Sequence, residues 1–574
     1  MRINDVEKIT GLTGKAIRLY ESKGLINISR DENGYRNFSA KDVEILKDVK
    51  LYRSIGISIS DIKLCLFGVM SKDELIEKCK AEILRESGKN SEKYQICESI
   101  LNKAPVELKS EDSFTENEKI MPEVHGELAV GIDIGTTTVS AVVYDIDGKE
   151  QLEAYTVPHN SYVCADDFSE QSVSAIMDKS EKLLYHIINT YKNIVSIGIS
   201  GQMHGIVYVD SDGNNVSNLI NWQDKRADRV LESGDSTCQT IFNKTGVPVS
   251  TGFGIATHYY NILNQEVPSG AVGFCSIMDY FGMKICGLKK AVVHSSVAAS
   301  FGLFDIKKGC FMSESLSLLG IDGCFLPRVT KESIIIGKCR GIPVSVPLGD
   351  NQASFLGSVN ENTDGMLVNI GTGSQISAVS DYREVSGEIE LRPFIEGKYL
   401  MCGSALCGGF AYSMLEEFFR SYLVSAGIQE ISQYKTMNSL AKASYERGEL
   451  GLDVESYFCG KRSKPDLRGS IKMIDRQNFT PASLIIGVLK GMCNELYELY
   501  KAFPEKRKHI VASGGAVKKN EVLKNLIADV FGASVSDKTP REEAATGAAL
   551  FSAFAVGKIR YENGFAEYIA AKGD

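Results

Sequence analysis

Several features that define secreted, membrane-spanning and P-loop proteins are missing from this sequence. Its 574 residues contain no apolar run near the ~20 residues that a membrane-spanning helix needs. The N-terminus has no apolar signal-peptide core. The 14 cysteines include no Cys-x-x-Cys pair, and the chain has no Gly-x-x-x-x-Gly-Lys-Ser/Thr loop. We therefore expect a cytoplasmic protein with no membrane partner, and buried thiols for most cysteines.

Length and charge indicate several domains with different surfaces. A single hydrophobic core rarely exceeds ~300 residues, so this chain should contain more than one. Residues 1–53 hold 11 Lys or Arg and 8 Asp or Glu, whereas the whole chain has a net charge of −9. A basic end on an acidic body favours a polyanionic partner for that end, although an ordinary solvated surface would explain the same charge.

The basic end has the pattern of a winged helix-turn-helix. Apolar spacing predicts a first short helix at 3–9. Thr13 is a good N-cap for a second helix over 14–23, and Gly24 is a good stop. The Asn33-Gly34 pair predicts a hairpin wing. Two further amphipathic helices are predicted at 40–54 and 58–67.

Basic and aromatic side chains of this segment are candidates for DNA contact. A helix-turn-helix would point Lys15 and Arg18 toward a groove, and Tyr35 and Arg36 stand just past the wing turn, near phosphates. Residues 1–68 resemble the DNA-binding domain of the MerR family of regulators, through the stretches 16–25, 34–36 and Phe38. The resemblance implies an inverted-repeat operator and adds Tyr20 to the candidate contacts. The alternative is a helical domain that only docks on the rest of the chain.

A helical stripe and a polar segment follow. The stripe residues are Leu75, Ile76, Cys79, Ile83, Leu84, Ile96, Ile100 and Leu101, with Gly88 between its two parts. In the MerR family a helix at this place pairs with its partner, so the resemblance implies a homodimer through residues 71–104. Residues 105–127 lack periodicity and are predicted to be a linker.

From residue 129 the chain carries glycine motifs that suit phosphate binding. The stretch 129–145 is predicted to form a strand, a tight turn and a second strand. Gly135 permits the turn, and Thr136, Thr137 and Thr138 offer hydroxyl and backbone N–H groups to a phosphate. Asp133, just before the turn, can hold Mg²⁺ through water. Residues 366–374 repeat the same pattern of a strand followed by a turn, here with Gly371, Thr372 and Gly373.

Further motifs lie in a fixed order around these two hairpins. They are Ser200-Gly-Gln-Met-His-Gly205, Asn221-Trp-Gln-Asp-Lys-Arg226, Met278-Asp-Tyr280, Gly349-Asp-Asn-Gln-Ala-Ser354, the loop with Gly514, Gly515 and Asn520, and Glu542-Glu-Ala-Ala-Thr-Gly547. Two phosphate hairpins far apart, with an aspartate between them, indicate a cleft between two similar lobes that share one ATP.

This order resembles the FGGY carbohydrate kinases of the actin-like ATPase superfamily, over residues 128–557. The resemblance implies two α/β lobes of ribonuclease H-like fold, 128–355 and 356–557, with 558–574 as a tail and with the winged helix-turn-helix over 1–70. Within the family the motifs, including Thr251-Gly-Phe-Gly-Ile-Ala-Thr257, are most similar to those of sedoheptulokinases. Xylulokinases usually have Asn where this chain has Gln223.

The resemblance and the chemistry of phosphoryl transfer together suggest roles. A sugar hydroxyl is a poor nucleophile, so a base must take its proton, and Asp350 stands at the family's base motif. Gly371, Thr372 and Gly373 should approach the terminal phosphates, and Gly514, Gly515 and Asn520 should border the adenosine. The predicted sugar contacts are Gln202, Met203, His204, Trp222, Asp224, Asp279 and Asp350. Trp222 and His204 could instead be core residues, and Lys225 and Arg226 surface charges.

The sequence thus predicts a MerR-type DNA-binding module fused to a kinase that uses ATP and Mg²⁺. The expected substrate is a ketose, foremost sedoheptulose, phosphorylated on a primary hydroxyl. Three alternatives stay open: another FGGY sugar kinase such as a xylulokinase, a sugar-sensing regulator with a kinase-like body, and a kinase whose N-terminal module only dimerises.

Overall fold

A computed structural model gives the fold of most of the chain. It describes residues 1–30, 34–87, 91–103, 126–164, 168–232, 234–359, 365–382, 384–385, 387–428, 431–449, 451–461, 463–464, 466–537, 539–561, 565 and 568. Across these ranges, no helix has both the length and the apolar character needed to cross a membrane. All 14 cysteines are free thiols, and only half of them are buried, fewer than expected.

The N-terminal domain, which we call the head, contains six helices and a short hairpin within the described residues. The elements are α1 (Ile3–Thr10), α2 (Gly14–Ser22), β1 (Ser29–Arg30), β2 (Arg36–Asn37), α3 (Ala40–Ser54), α4 (Ile59–Leu66), α5 (Lys72–Ser87) and α6 (Glu92–Leu101). Thr13 caps α2 by accepting from Ala16 N–H, and β1 pairs antiparallel with β2. The predicted helix-turn-helix and wing are therefore present, although Asn33 of the wing turn lies outside the described residues.

The apolar stripe of α5 is covered within the same chain. Helix α6 packs back onto α5, and Lys80 of α5 forms an ion pair with Glu98 of α6. The side chains of Leu75, Ile76 and Ile83 are buried. Half of the stripe is therefore buried inside one chain, whereas Leu84 is exposed and Ile96, Ile100 and Leu101 are half-buried. Gly88, Ala104 and residues 105–125 of the predicted linker lie outside the described residues.

The first lobe of the body is built on a seven-stranded sheet. Its strands are β3 (Leu128–Ile134), β4 (Thr138–Asp145), β5 (Glu150–Pro158), β6 (Tyr162–Cys164), β7 (Glu170–Gln171), β8 (Ile194–Gly201), β9 (Val207–Val209), β10 (Leu219–Ile220), β11 (Gly273–Cys275), β12 (Val292–His294), β13 (Phe304–Asp305), β14 (Cys310–Phe311), β15 (Arg328–Thr330), β16 (Ile335–Cys339), β17 (Ile342–Ser345) and β18 (Leu348–Gly349). Its helices are α7 (Val173–Thr190), α8 (Thr237–Thr245), α9 (Gly254–Leu263), α10 (Ile277–Ile285), α11 (Ser295–Ala298), α12 (Ser313–Leu319) and α13 (Asp350–Ser358). The main sheet has the order β16-β17-β8-β3-β4-β5, with β18 also paired to β8.

The second lobe is built on a six-stranded sheet with the order β21-β22-β20-β19-β25-β26. Its strands are β19 (Gly365–Ile370), β20 (Ser374–Ser380), β21 (Ile389–Pro393), β22 (Tyr399–Ala405), β23 (Asp453–Glu455), β24 (Ser470–Lys472), β25 (His509–Ser513) and β26 (Ser534–Ser536). Its helices are α14 (Gly409–Ser425), α15 (Tyr434–Glu446), α16 (Pro481–Tyr500), α17 (Gly515–Lys519), α18 (Glu521–Phe531) and α19 (Glu543–Ala555). Each lobe contains an antiparallel hairpin, β3/β4 in the first lobe and β19/β20 in the second. The first strand of each hairpin also pairs in parallel with a third strand, β3 with β8 and β19 with β25. The lobes are therefore similar, as the repeated glycine motifs predicted.

Helix α19 returns to the first lobe and fixes its central elements. A Cβ on Gly131 of β3 would lie 1.8 Å from Ala545 O of α19, and a Cβ on Gly547 of α19 would lie 1.8 Å from Ala353 O of α13. Only glycine permits backbones to approach this closely. The last helix, which the sequence assigned to the second lobe, therefore packs against both the strand that carries Asp133 and the helix that begins with Asp350.

The head lies directly against the first lobe, so the two are joined by more than the linker. Helices α4 and α5 meet the edge strand β5 and helix α7, and the apolar cores on the two sides are continuous. The polar contacts are Ser60 Oγ to Glu153 Oε1 (3.2 Å), Lys78 Nζ to Thr156 O (3.1 Å), Lys179 Nζ to Glu74 Oε2 (2.7 Å) and Lys179 Nζ to Val69 O (3.3 Å). The ring of Phe67 also packs on His186, with centroids 4.8 Å apart.

Candidate active site and DNA-binding surface

The strand register brings Asp133 and Asp350 to one end of the first sheet. Asp133 on β3 pairs with Ser200 on β8, and Ser200 pairs with Leu348 on β18. Gly349 ends β18, and Asp350 is the first residue of α13. The Ser200 hydroxyl donates to Asp133 Oδ1 at 2.6 Å. The two carboxylates that were 217 positions apart in sequence therefore flank the same cleft.

Burial and neighbouring charges perturb both carboxylates. Burial raises the pKa of Asp133 to about 7; the charges of Asp350 and Glu542 add to this effect, and the Ser200 hydrogen bond opposes it. Burial also raises the pKa of Asp350 to about 6, against the lowering effect of its neighbour's backbone N–H and of Arg392 in the second lobe. Carboxylates with raised pKa values in a cleft are typical of a proton-accepting or cation-binding site.

The turn of the first phosphate hairpin lies beside these carboxylates. Gly135 N–H donates to Thr138 O at 2.9 Å and closes the turn. The indole of Trp222 donates to Thr136 Oγ1 at 3.0 Å, and its side chain is 45% exposed. Trp222 is therefore a cleft residue, and the alternative that it belongs to the core is wrong.

The second phosphate hairpin and the third glycine loop meet in the second lobe. Gly371 and Thr372 accept backbone hydrogen bonds from the start of α14 through their carbonyl groups. A Cβ on Gly514, which has φ +94°, would lie 2.4 Å from Ile370 O, so this loop packs on the hairpin. Gly515 is exposed beside it, whereas Asn520 is buried and caps α18 through Leu523 N–H.

The motif 200–205 connects the predicted sugar site with the base. Gln202 is buried and donates through Nε2 to Gly135 O at 3.2 Å, so its amide contacts the phosphate hairpin. Met203 packs against Gly349, where a Cβ would meet its Sδ at 2.7 Å. His204 has φ +73°, stacks on Phe253 at 4.5 Å and donates from Nδ1 to a backbone carbonyl. Non-glycine residues with positive φ cost roughly 1–3 kcal/mol and cluster at functional sites.

Asp224 and Asp279, two of the predicted sugar contacts, differ in how far other residues occupy their carboxylates. Asp224 is fully buried and forms an ion pair with the Nε of Arg226 at 2.8 Å, and Arg226 also binds Glu170 at 2.7 Å. Arg226 is therefore a buried ion-pair residue and not a surface charge, whereas Lys225 is exposed. Asp279 is buried on α10, where its Oδ2 accepts the Ser276 hydroxyl at 2.5 Å, whereas its Oδ1 has no hydrogen-bond partner among the described residues. The Asp224 carboxylate is therefore occupied by Arg226, whereas Ser276 is the N-cap of α10 and Asp279 keeps one oxygen available for a ligand.

The candidate DNA contacts divide into exposed and engaged groups. Lys15 and Arg18 are exposed on α2, whereas Tyr20 is 3% exposed and packs in the core of the head. Tyr35 is 66% exposed on the wing, and Arg36 donates to Glu21 at 2.6 Å. The second helix and the wing thus present basic and aromatic groups on the surface, but Tyr20 is not one of them.

Three residues of the cleft were assigned no role from the sequence. Gln171 and His159 donate to the hairpin turn, and the Glu542 carboxylate accepts the Thr156 hydroxyl at 2.7 Å. Glu542 belongs to the last glycine motif, so the sequence did contain a signal that could have identified it as a residue of the cleft. Nothing in the local sequence distinguishes His159, because its partner is 24 positions away.

Comparison with known proteins agrees with this geometry. Residues 128–357 match the N-terminal domain and 366–556 the C-terminal domain of the FGGY family of carbohydrate kinases, and residues 1–66 match the MerR HTH family regulatory protein. Human sedoheptulokinase is 24% identical over 74% of this chain and 96% of its own length; xylulose kinase of Staphylococcus xylosus is 26% identical over 74% and 90%. The crystal structure of xylulose kinase from Lactobacillus acidophilus has a TM-score of 0.66 at 20% identity, covering 78% of this chain and 93% of that one.

The two-lobed fold, the paired glycine hairpins and the carboxylates between them define an ATP-dependent carbohydrate kinase with a helix-turn-helix head. The chain belongs to the FGGY family of carbohydrate kinases, and its head belongs to the MerR family.

Proposed function

We propose that this protein transfers the γ-phosphoryl group of MgATP to a primary hydroxyl of a ketose, converting sedoheptulose to sedoheptulose 7-phosphate, and that it binds DNA through its head. The position of Asp350 carries the kinase part of the proposal. This carboxylate begins α13 directly after β18, whose Leu348 is in register with Asp133 through Ser200.

Asp350 is the proposed general base. Its carboxylate takes the proton of the attacking sugar hydroxyl while the oxygen forms a bond to the γ-phosphorus and ADP leaves. A raised pKa makes the carboxylate a better proton acceptor than a surface aspartate. Backbone N–H groups of the turns at 135–138 and 371–373 hold the phosphates, and their fixed orientation stabilises the charge that develops during transfer.

The donor groups around Asp133 fit Mg²⁺. They are carboxylate and hydroxyl oxygens, from Asp133, Ser200 and Glu542, and oxygen ligands are those that Mg²⁺ prefers. When bound, the ion would neutralise charge on the ATP phosphates. Asp133 is the proposed residue that holds it, directly or through water.

The choice of sedoheptulose rests on the sugar motifs and on the human relative. Gln223, where xylulokinases usually have Asn, accepts the Tyr162 hydroxyl at 2.6 Å beside Trp222. A coupled assay of ADP release over sedoheptulose, xylulose, ribulose, rhamnulose, gluconate and glycerol tests the assignment. Turnover of xylulose or gluconate alone would move the protein to another FGGY activity, and no turnover with any sugar would favour a ligand-sensing body.

The intact protein should bind an inverted-repeat DNA site as a homodimer. Because Lys15 and Arg18 are exposed on α2, we expect affinity to fall steeply with salt through phosphate contacts. Arg18→Ala should weaken binding and reduce the salt slope by about one. Fluorescence anisotropy at several salt concentrations measures both quantities.

Lys338→Ala is the matched control, since Lys338 is an exposed basic residue of the first lobe. A full-length protein that stays monomeric by light scattering and ignores DNA at low salt would contradict the DNA-binding proposal. Arg36→Ala should also weaken binding, because it removes the basic group of the wing that pairs with Glu21 of α2.

DNA binding and ligand binding should be coupled. Lys78 joins the head to Thr156 of β5, and Thr156 in turn binds Glu542 in the cleft. Saturating sugar with a non-hydrolysable ATP analogue should therefore change operator affinity, by about fivefold or more. Lys78→Met should abolish the change, whereas Lys72→Met should keep it, because Lys72 pairs with Asp48 inside the head. Identical titration curves with and without ligands would show that the two modules act independently.

A further inference from the structure

The turn of the first phosphate hairpin is held through its carbonyl groups by buried side chains. Gly135 O accepts from Gln202 Nε2 and from His159 Nε2, each at 3.2 Å. Thr136 O accepts from Gln171 Nε2 at 2.7 Å, and Thr137 O accepts from the backbone N–H of His159 at 3.2 Å. All three carbonyls of the turn are therefore occupied.

The donors form one connected and buried group, which we call the carbonyl clamp: Gln171, His159 and Gln202. Gln171 is 0% exposed, and the other two are 3% exposed. Gln202 Nε2 also donates to Gln171 Oε1 at 3.1 Å, which links two members. Because a carbonyl oxygen can only accept, Nε2–H of His159 is the donor to Gly135 O, and burial lowers the pKa of His159 and so favours the neutral ring. The clamp acts through its donor atoms, since Gln202 Oε1 and His159 Nδ1 have no hydrogen-bond partner among the described residues.

Strand alternation sends the neighbouring side chains Glu170 and Gln171 of β7 to different partners. Successive side chains of a strand point to opposite faces. On β7, Glu170 reaches Arg226, whereas Gln171 reaches the hairpin turn. The pair therefore serves two different networks, and only Gln171 belongs to the carbonyl clamp.

The second hairpin has an equivalent arrangement made from backbone. Its carbonyls Gly371 O and Thr372 O accept from the N–H groups of Gly409, Gly408 and Phe410 at the start of α14. Both turns thus have their carbonyls tied back. A free carbonyl oxygen in the cleft would repel phosphate oxygens, whereas tied carbonyls leave peptide N–H groups available to bind an anion.

We propose that the carbonyl clamp, with Gln171 at its centre, is a positioning device for the ATP phosphates: it sets the orientation of the peptide groups at 135–137. The inference rests on the proposed kinase function of this cleft. It gives Gln202, expected to bind sugar, a role on the nucleotide side. In the second lobe the same task belongs to backbone groups, so side-chain substitution can test the device only in the first lobe.

Gln171→Met tests the clamp in the full-length protein. Methionine has a similar length and no donor, so Thr136 O would lose its partner. Leaving one buried acceptor unpaired should weaken nucleotide binding by about 10- to 100-fold. Calorimetric titration with a non-hydrolysable ATP analogue should show this loss, the KM for ATP should rise by the same factor, and the KM for sugar should stay within about threefold. Hydrogen exchange of the segment 134–140 should become faster without a change in the other segments.

His258→Phe is the matched control. His258 is equally buried in the first lobe, and its Nδ1 pairs with the Tyr208 hydroxyl at 2.9 Å, away from the hairpin. This variant should keep nucleotide affinity. A folded Gln171→Met protein with analogue affinity within twofold of the unaltered protein would overturn the proposal, and so would an equal loss in His258→Phe.

A second variant tests the same proposal in case Gln171→Met does not fold. His159→Phe keeps the ring and removes the donor to Gly135 O, so it should weaken nucleotide binding in the same direction. If neither clamp variant yields folded protein, the cluster is a requirement of the fold and the proposal is rejected. Failure of the kinase function itself would differ, because the unaltered protein would then phosphorylate no sugar.

Discussion

Replacing Asp350 by Asn should lower kcat for sugar phosphorylation by about 10²- to 10⁴-fold, the range for loss of one acid–base group. The amide keeps the shape of the carboxylate but cannot accept the proton of the attacking hydroxyl. Sugar binding measured by calorimetry should therefore survive. Asp350 has one more property that fits the role: burial raises its pKa to about 6.

The pH dependence of kcat/KM is a second test of Asp350. The base must be ionised to work, so kcat/KM should fall as the pH decreases through about 6. In Asp350→Asn this limb of the profile should disappear along with the activity.

Glu495→Gln is the control for removing a buried carboxylate. Burial raises the pKa of Glu495 to about 7, but this residue pairs with Ser456 in the second lobe, outside the cleft. Its substitution should leave kcat within about twofold of the unaltered protein. Near-normal turnover of Asp350→Asn would remove Asp350 from the role of base.

The second large effect concerns the choice of sugar. A pocket of hydrogen-bonding groups discriminates by up to ~10⁴-fold against a ligand that leaves those groups unpaired. We therefore expect kcat/KM for sedoheptulose to exceed that for xylulose, which is shorter by two carbons with their hydroxyls. Steady-state kinetics with both ketoses under identical ATP and Mg²⁺ gives the ratio.

Gln223→Asn is the informative variant for this preference. Shortening the side chain would break its contact with the Tyr162 hydroxyl and would restore the residue usual in xylulokinases. The ratio should shift toward xylulose, while the ATP dependence stays the same. Equal or better use of xylulose by the unaltered protein would assign the activity to xylulose instead.

Local sequence signals predicted the local elements well. The Thr13 cap and the Gly24 stop predicted a helix over 14–23, and α2 runs over Gly14–Ser22. The glycine motifs predicted both hairpins, because a tight turn favours glycine at a defined position of the sequence. The repeated pattern also predicted two similar lobes, since the same turn needs the same flanking strands.

Residue roles in the cleft were less predictable, because each depends on a partner far away in sequence. Asp224 looked like a sugar ligand, yet the buried Arg226 occupies its carboxylate. Tyr20 lies in the stretch that resembles the MerR family, but its position on α2 places its side chain in the core of the head. The contact of Lys78 with Thr156 joins residues 78 positions apart, and no local pattern marks either of them.

The head also protects an edge of the kinase sheet. Strand β5 is the last strand on its side of the seven-stranded sheet, and Lys78 occupies the outward Thr156 carbonyl. Uncovered edge strands tend to pair with other chains and aggregate, and a lysine laid along the edge prevents such pairing. The head therefore covers an edge strand of the kinase body, and we expect a body separated from its head to aggregate more readily.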